Sequence, residues 1–282
     1  MKDFLKLLFS HGMGRMGIIV ITLFLLASIF APYLHTIDPH KSSSFENMLS
    51  PPSAQFWLGT DDLGRDIWSQ IIYGSRISLT IGFVAAIVSV FFGTFVGLLG
   101  GFHGGIIDDV LSKIVDFFMM LPELPLMIIL AAVLGPTIWN IIFVVSVVNW
   151  PTTARIVRSQ VLSLKERPFI EASRSIGASD SFLMFKEILP NVVPLMFAQS
   201  VLMITLAIYA ETILSFLGLG DPNLISWGQM LHFAFESGVM ARSLWWVFPP
   251  IFAICSLIVS FTFVGTAITD VTNPGYKEAR GL

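Results

Sequence analysis

Three polar side chains interrupt otherwise apolar stretches of the chain: Glu123 between Pro122 and Pro125, then Asn149, then Glu211. Where an apolar stretch is long enough to cross a bilayer, an ionisable group inside it is costly and marks a pathway or a pairing site. Glu211, about two-thirds along its stretch, reads either as lining a wet pathway or as pairing with a partner subunit. Glu123 stands close to one membrane face, where a solvated or structural role competes with a pathway role. Asn149 is the weakest of the three, since one amide often only bonds a neighbouring helix. Chemistry of other kinds is not encoded. His11, His35, His40, His103 and His232 are scattered over connections and termini, so no metal-ligand spacing arises. No G-x-x-x-x-G-K-[ST] loop and no Gly-Lys pair is present to cradle phosphates.

The elements that carry these residues follow from composition. The chain has 282 residues, 55% hydrophobic and 12% charged, with a mean hydropathy of +0.80, against about 25% charged in a soluble domain. It reads as an integral membrane protein. The lone Cys255 cannot form an internal disulfide and reads as a buried small hydrophobe. A net charge of −3 gives no reason to expect nucleic acid. Against the ~20 apolar residues that a bilayer requires, six stretches read as spans: 17–34, 77–101, 115–134, 138–151, 192–216 and 244–268, the fourth being short unless extended by a turn. The first ends in Ala-Pro-Tyr-Leu without a small-residue cleavage site and reads as an uncleaved span. With six spans and an inner N-terminus, the inner segments hold 12 Lys and Arg and the outer segments hold Lys41, Arg65, Arg76 and Arg242, accounting for all 16. The excess marks the cytoplasmic side, so both termini are expected inside.

Between the fourth and fifth spans lies RPFIEASRSIGASDSFLMFKEILP, residues 167–190, too charged to enter the membrane. Pro168 suits a first helical turn. Phe169, Ile170, Ser173 and Ile176 share one face, and Glu171 and Arg174 form an i, i+3 pair. Gly177 stops this helix, because glycine takes the left-handed conformation without a Cβ penalty. Ser179 or Asp180 caps a second helix, with Phe182, Leu183, Phe185 and Leu189 packed down, Lys186 facing out and Pro190 ending it. The expected unit is a helix-turn-helix on the inner membrane face, at about 155–190. Physics alone leaves open whether it is an amphipathic anchor or a docking device.

These residues resemble the cytoplasmic signature of the membrane subunits of binding-protein-dependent ABC importers: Glu171-Ala172-Ser173, then Gly177, then Ile188-Leu189-Pro190. Ser173 stands where that family usually has alanine. GTDDLGRDIWSQIIYGSRISL at 59–79 and LSFLGLGDPNLISWGQML at 214–231 are similar to the dipeptide, oligopeptide and nickel branch, specifically its second permease subunit. The resemblance implies that Phe169, Glu171, Ala172, Ser173, Gly177, Ile188, Leu189 and Pro190 couple the chain to an ATPase subunit. It further implies a sister permease forming a heterodimer, two ATPase subunits that hold ATP and Mg, and an extracytoplasmic substrate-binding protein. No cofactor and no metal site is expected in this chain. The expected cargo is a peptide, with oligosaccharides or nickel chelates as alternatives in the same branch. An ion-gradient-driven secondary transporter is a second class, which would call for internal repeats and more charges in the spans.

From the residues alone, Thr60 or Asp61 is expected to cap a surface helix in which Asp62 and Asp66 flank Arg65, with Ile67, Ile71 and Ile72 on its apolar side. LGLGDP reads as a tight outer turn and Trp227 as an interface anchor. The expected architecture is all-α: residues 1–76 form the first span and outer segment, and 77–282 a five-helix permease core, in the plasma (cell inner) membrane.

Overall fold

A computed structural model of the chain describes residues 11–34, 37–39 and 45–272. The termini, with Lys2, Lys6, Lys277 and Arg280, and also His35, His40 and Lys41, lie outside the described residues. Every regular element described is helical: α1 (Gly12–Leu34), α2 (Ile67–His103), α3 (Gly105–Met120), α4 (Glu123–Leu134), α5 (Ile138–Lys165), α6 (Pro168–Ser175), α7 (Asp180–Phe216), α8 (Trp227–Glu236) and α9 (Leu244–Thr272). Five of these, α1, α2, α5, α7 and α9, are long and apolar enough to cross a membrane, and the bent pair α3–α4 makes a sixth crossing if taken as one span.

The packing explains why these helices lie together. One apolar cluster joins α2, α7, α8 and α9 around Trp227, Ile208 and Leu257, and another joins α2, α4, α5 and α7 around Ile81, Val144 and Leu214. Along α2, Gly93, Gly97 and Gly101 recur every fourth residue and face α5. A Cβ on Gly93 would stand 2.6 Å from the Trp150 carbonyl oxygen, and one on Gly97 would overlap the Ala154 carbonyl. The two backbones touch because these side chains are missing, as in other small-residue membrane interfaces. Large apolar side chains such as Phe91, Ile106, Val133 and Phe252 are exposed, as a lipid-facing surface requires.

Several expectations are corrected. The second span begins at Ile67, and at 37 residues it reaches about 55 Å at 1.5 Å per residue, well beyond the hydrocarbon layer. A division at 76/77 would therefore cut one continuous helix. Residues 60–66 form no surface helix. Asp61 instead turns its carboxylate inward, accepting from the backbone N–H groups of Leu63 and Arg65 at 2.9 and 2.8 Å, from Arg65 Nε at 2.6 Å and from Gln70 Nε2 at 2.8 Å. Those local bonds replace a helical ladder, and Asp66 caps α2 by accepting from the Ser69 N–H. Burial, with the Asp61 charge beside it, pushes the Asp62 carboxyl above its usual range.

The third span is broken at Leu121–Pro122, where α3 and α4 meet at 88°. The fourth runs straight through the buried Pro151 to Lys165, because packing against α2 outweighs one missing backbone hydrogen bond. Trp227 is fully buried, its Nε1 donating to the Ile71 carbonyl at 3.0 Å and its ring meeting Phe24 edge-on. Cys255 is exposed on α9, since in a membrane an apolar residue has no need to face inward.

Candidate coupling site

The loop at 167–190 forms a small projecting device. α6 begins with Pro168 in its first turn and carries one fully buried side chain, Ile170. Ile170 sits among Leu98 and Phe102 of α2, Val157, Val161 and Leu164 of α5, and Leu183, Met184 and Ile188 of α7. The rest of the helix faces outward: Phe169, Glu171, Ala172 and Arg174 are exposed and Ser173 is half-buried. Ile176, expected on the packed face, is 87% exposed. A helix that seats one residue and presents the others has its surface free for something else.

Gly177 has φ +90° and ends α6, with its N–H donating to Arg174 O at 3.0 Å and the Ala178 N–H to Ser173 O at 3.1 Å. Arg174 reaches Asp180 across the turn at 3.8 Å, in place of the expected pairing with Glu171. Ser179 caps the following helix by accepting from the Phe182 N–H. That helix does not stop at Pro190. It winds as a π-helix over Leu183–Ile188 and continues as the fifth span. The Leu189 N–H bonds Met184 O five residues back, and the Asn191 Nδ2 donates to Glu187 O at 2.6 Å. The wider winding makes room where the proline ring would otherwise crowd the carbonyl four residues back. Consequently Leu183, Met184 and Ile188 are the buried residues, whereas Phe182 and Phe185 are 46% exposed, Leu189 is half-buried and Pro190 is exposed.

The three span residues are held apart. Glu123 is exposed at the first residue of α4, on the bend. Asn149 is buried and donates to Val145 O at 2.8 Å. Glu211 is fully buried, accepting from Ser215 Oγ at 2.8 Å and from Ser78 Oγ at 3.3 Å, and it shares a small cavity with Ser226. No hydrogen bond joins any two of the three among the described residues. The serines around Glu211 carry no spacing signal, since Ser78 lies 133 residues away in sequence. The Gly-x-x-x-Gly-x-x-x-Gly run at 93–101 is legible in the sequence as a packing motif.

A bundle of several helices long and apolar enough to cross a membrane, with a short helix projecting from one end, describes a polytopic membrane protein. The same fold occurs in a chain of the methionine ABC transporter MetNI in inward facing conformations, with a TM-score of 0.58 at 20% identity over 73% of this chain and 98% of that one. Residues 89–278 match the family of binding-protein-dependent transport system inner membrane components, and residues 1–52 match the N-terminal TM domain of oligopeptide transport permease C. The chain belongs to that inner membrane component family. It is 37% identical to the dipeptide transport system permease protein DppC of Alkalihalophilus pseudofirmus, over 98% of this chain and 90% of that protein. The oligopeptide transport system permease protein OppC of Bacillus subtilis is 37% identical over the same shares, and the glutathione transport system permease protein GsiD of Pectobacterium atrosepticum 34% over 97% and 90%.

Proposed function

We propose that this chain is the permease subunit of an ATP-driven peptide importer, forming the translocation pathway with a sister permease and coupled through α6 to separate ATPase subunits that hold ATP and Mg. An extracytoplasmic binding protein delivers the cargo, and both termini face the cytoplasm. The three relatives named above, permeases for dipeptides, oligopeptides and glutathione, support the cargo class. The excess of Lys and Arg on the inner segments supports the orientation.

One observation supports the coupling role: α6 buries a single side chain fully, Ile170, and leaves Phe169, Glu171 and Ala172 exposed at one end of the bundle. A membrane anchor would bury its large apolar residues together; here Ile170 points into the bundle and Ile176 away from it. The small Ala172 permits close approach of a partner. In the purified complex, Ala172→Arg is expected to leave the chain in the membrane at its usual level while the ATPase subunits no longer co-purify. Normal co-purification with normal uptake would remove the coupling role from α6. Glu123, Asn149 and Glu211 remain the proposed polar positions of the pathway, with Glu211 acting through the serines that hold it.

A further inference from the structure

α5 and α6 are separated only by Glu166 and Arg167, so displacement of α6 has a direct covalent route into the adjoining half of α5. Two arginines on that half face α3. Arg158 grips Asp108 with both ends of its fork, Nε to Oδ1 at 2.5 Å and Nη2 to Oδ2 at 2.6 Å, and Arg155 Nη2 reaches Asp116 Oδ1 at 2.6 Å. The arginines are three apart on α5 and the aspartates eight apart on α3, so the pairs grip α3 over about two helical turns. Ser112 Oγ donates to Asp108 Oδ1 at 3.2 Å. Gly100 of α2 leaves room for that oxygen, because a Cβ there would stand 3.2 Å from it. Of the two pairs, Asp108–Arg158 is the sheltered one, with side chains 13% and 37% exposed against 60% and 54% for Asp116–Arg155. A bidentate, partly desolvated pair fixes both distance and orientation, which a lone surface contact does not.

The position of this pair gives it a consequence. The apolar cluster under α6 draws on α2, α5 and α7 and contains no residue of α3. α3 meets α5 through a separate patch around Val115, Trp150 and Ala154 and through the two ion pairs. From its far end the chain turns 88° at Leu121–Pro122 into α4, whose first residue is the exposed Glu123. We propose that Asp108 and Arg158 are positioning residues of the transport cycle: they transmit displacement of α6 through α5 to α3, and so move the break in the third span. This rests on reading α6 as the ATPase-docking helix.

The test uses the complete complex with its ATPase subunits, in nanodiscs, carrying Cys255→Ser and a reporter Met120→Cys at the exposed end of α3, where Met120 is 82% exposed. The rate of maleimide labelling is measured per assembled complex, without nucleotide and with ATP and vanadate. The parent is expected to show a several-fold change in rate. Asp108→Asn and Arg158→Gln should lose most of that change while the ATPase still co-purifies and hydrolyses ATP, and the exchange Asp108→Arg with Arg158→Asp should restore part of it. A purely structural pair would lower the yield of complex without altering the response of each complex formed. If Asp108→Asn keeps the full change while Gly177→Val loses it, the proposal is overturned and the role of α6 stands. If Gly177→Val and Ala172→Arg both keep it, the role of α6 falls and this proposal with it. A parent complex with no nucleotide-dependent change also overturns the proposal, since there is then no movement to transmit.

Discussion

Replacing Gly177 isolates backbone conformation from every other effect, because a Cβ built there meets nothing within 4 Å. Its φ of +90° is one that L-residues adopt at a cost of about 1–2 kcal/mol, larger for a β-branched side chain. Against this stands the anchorage of α6. The helix has 8 residues, well under the ~12–15 needed for independent helicity. Its single fully buried side chain, Ile170, contributes about 1.5–3 kcal/mol. Strain and anchorage are thus of the same size. With strain and anchorage nearly cancelling, and with 1–2 kcal/mol shifting an equilibrium roughly 5–30-fold, Gly177→Ala should displace α6 in a substantial fraction of molecules and Gly177→Val in a larger one. Gly177→Asn should be mildest, as asparagine tolerates this region best among the other residues. The assay is co-purification of the ATPase subunits with each variant, normalised to its level in the membrane. The expected order of loss is Asn, Ala, Val, with membrane level unchanged because no apolar residue of a span is touched. Equal and normal co-purification for all three would refute the claim that the turn sets the orientation of α6.

Three further outcomes are expected. Gly97→Leu drives a side chain into the Ala154 carbonyl and against Val157. Overpacking of this kind costs typically about 1–3 kcal/mol, so the yield and thermal stability of the purified chain should fall, whereas Phe95→Leu on the exposed face of α2 should leave both unchanged. Asp61→Asn places an amide among the four N–H groups that the carboxylate now accepts. Breaking such a buried pair costs about 3–5 kcal/mol, and should expose 45–66 to proteolysis; wild-type resistance would show that the knot is dispensable. In a Cys255→Ser background, Gln55→Cys and Glu166→Cys should label with an impermeant thiol reagent from opposite sides of the membrane. Labelling of both from the same side would refute the proposed topology.

Much of the architecture was legible because a bilayer imposes length and polarity on any helix that crosses it. The apolar stretches predicted where spans lie, and Gly177 predicted a left-handed stop between two helices, which its φ bears out. The chain's punctuation misled in the same places where packing intervened. Pro151 and Pro190 read as stops, yet both lie within continuous helices, one buried against α2 and the other accommodated by π winding. Pro122 and Pro125 were passed over as the interior of an apolar run, and the chain bends there by 88°. Trp227 reads as an interface anchor from its type, and is fully enclosed instead.

By itself, then, the sequence determined the membrane class, the absence of a phosphate-binding loop and the existence of a folded polar loop at 167–190, since each depends on local composition or spacing. Tertiary structure alone decided which residues meet. Arg158 finds Asp108 across 50 residues and Glu211 finds Ser78 across 133. Such pairings are set by how helices lean on one another through glycines and apolar faces. A polar residue in the sequence announces that it needs a partner, and only the packed bundle says which one it has.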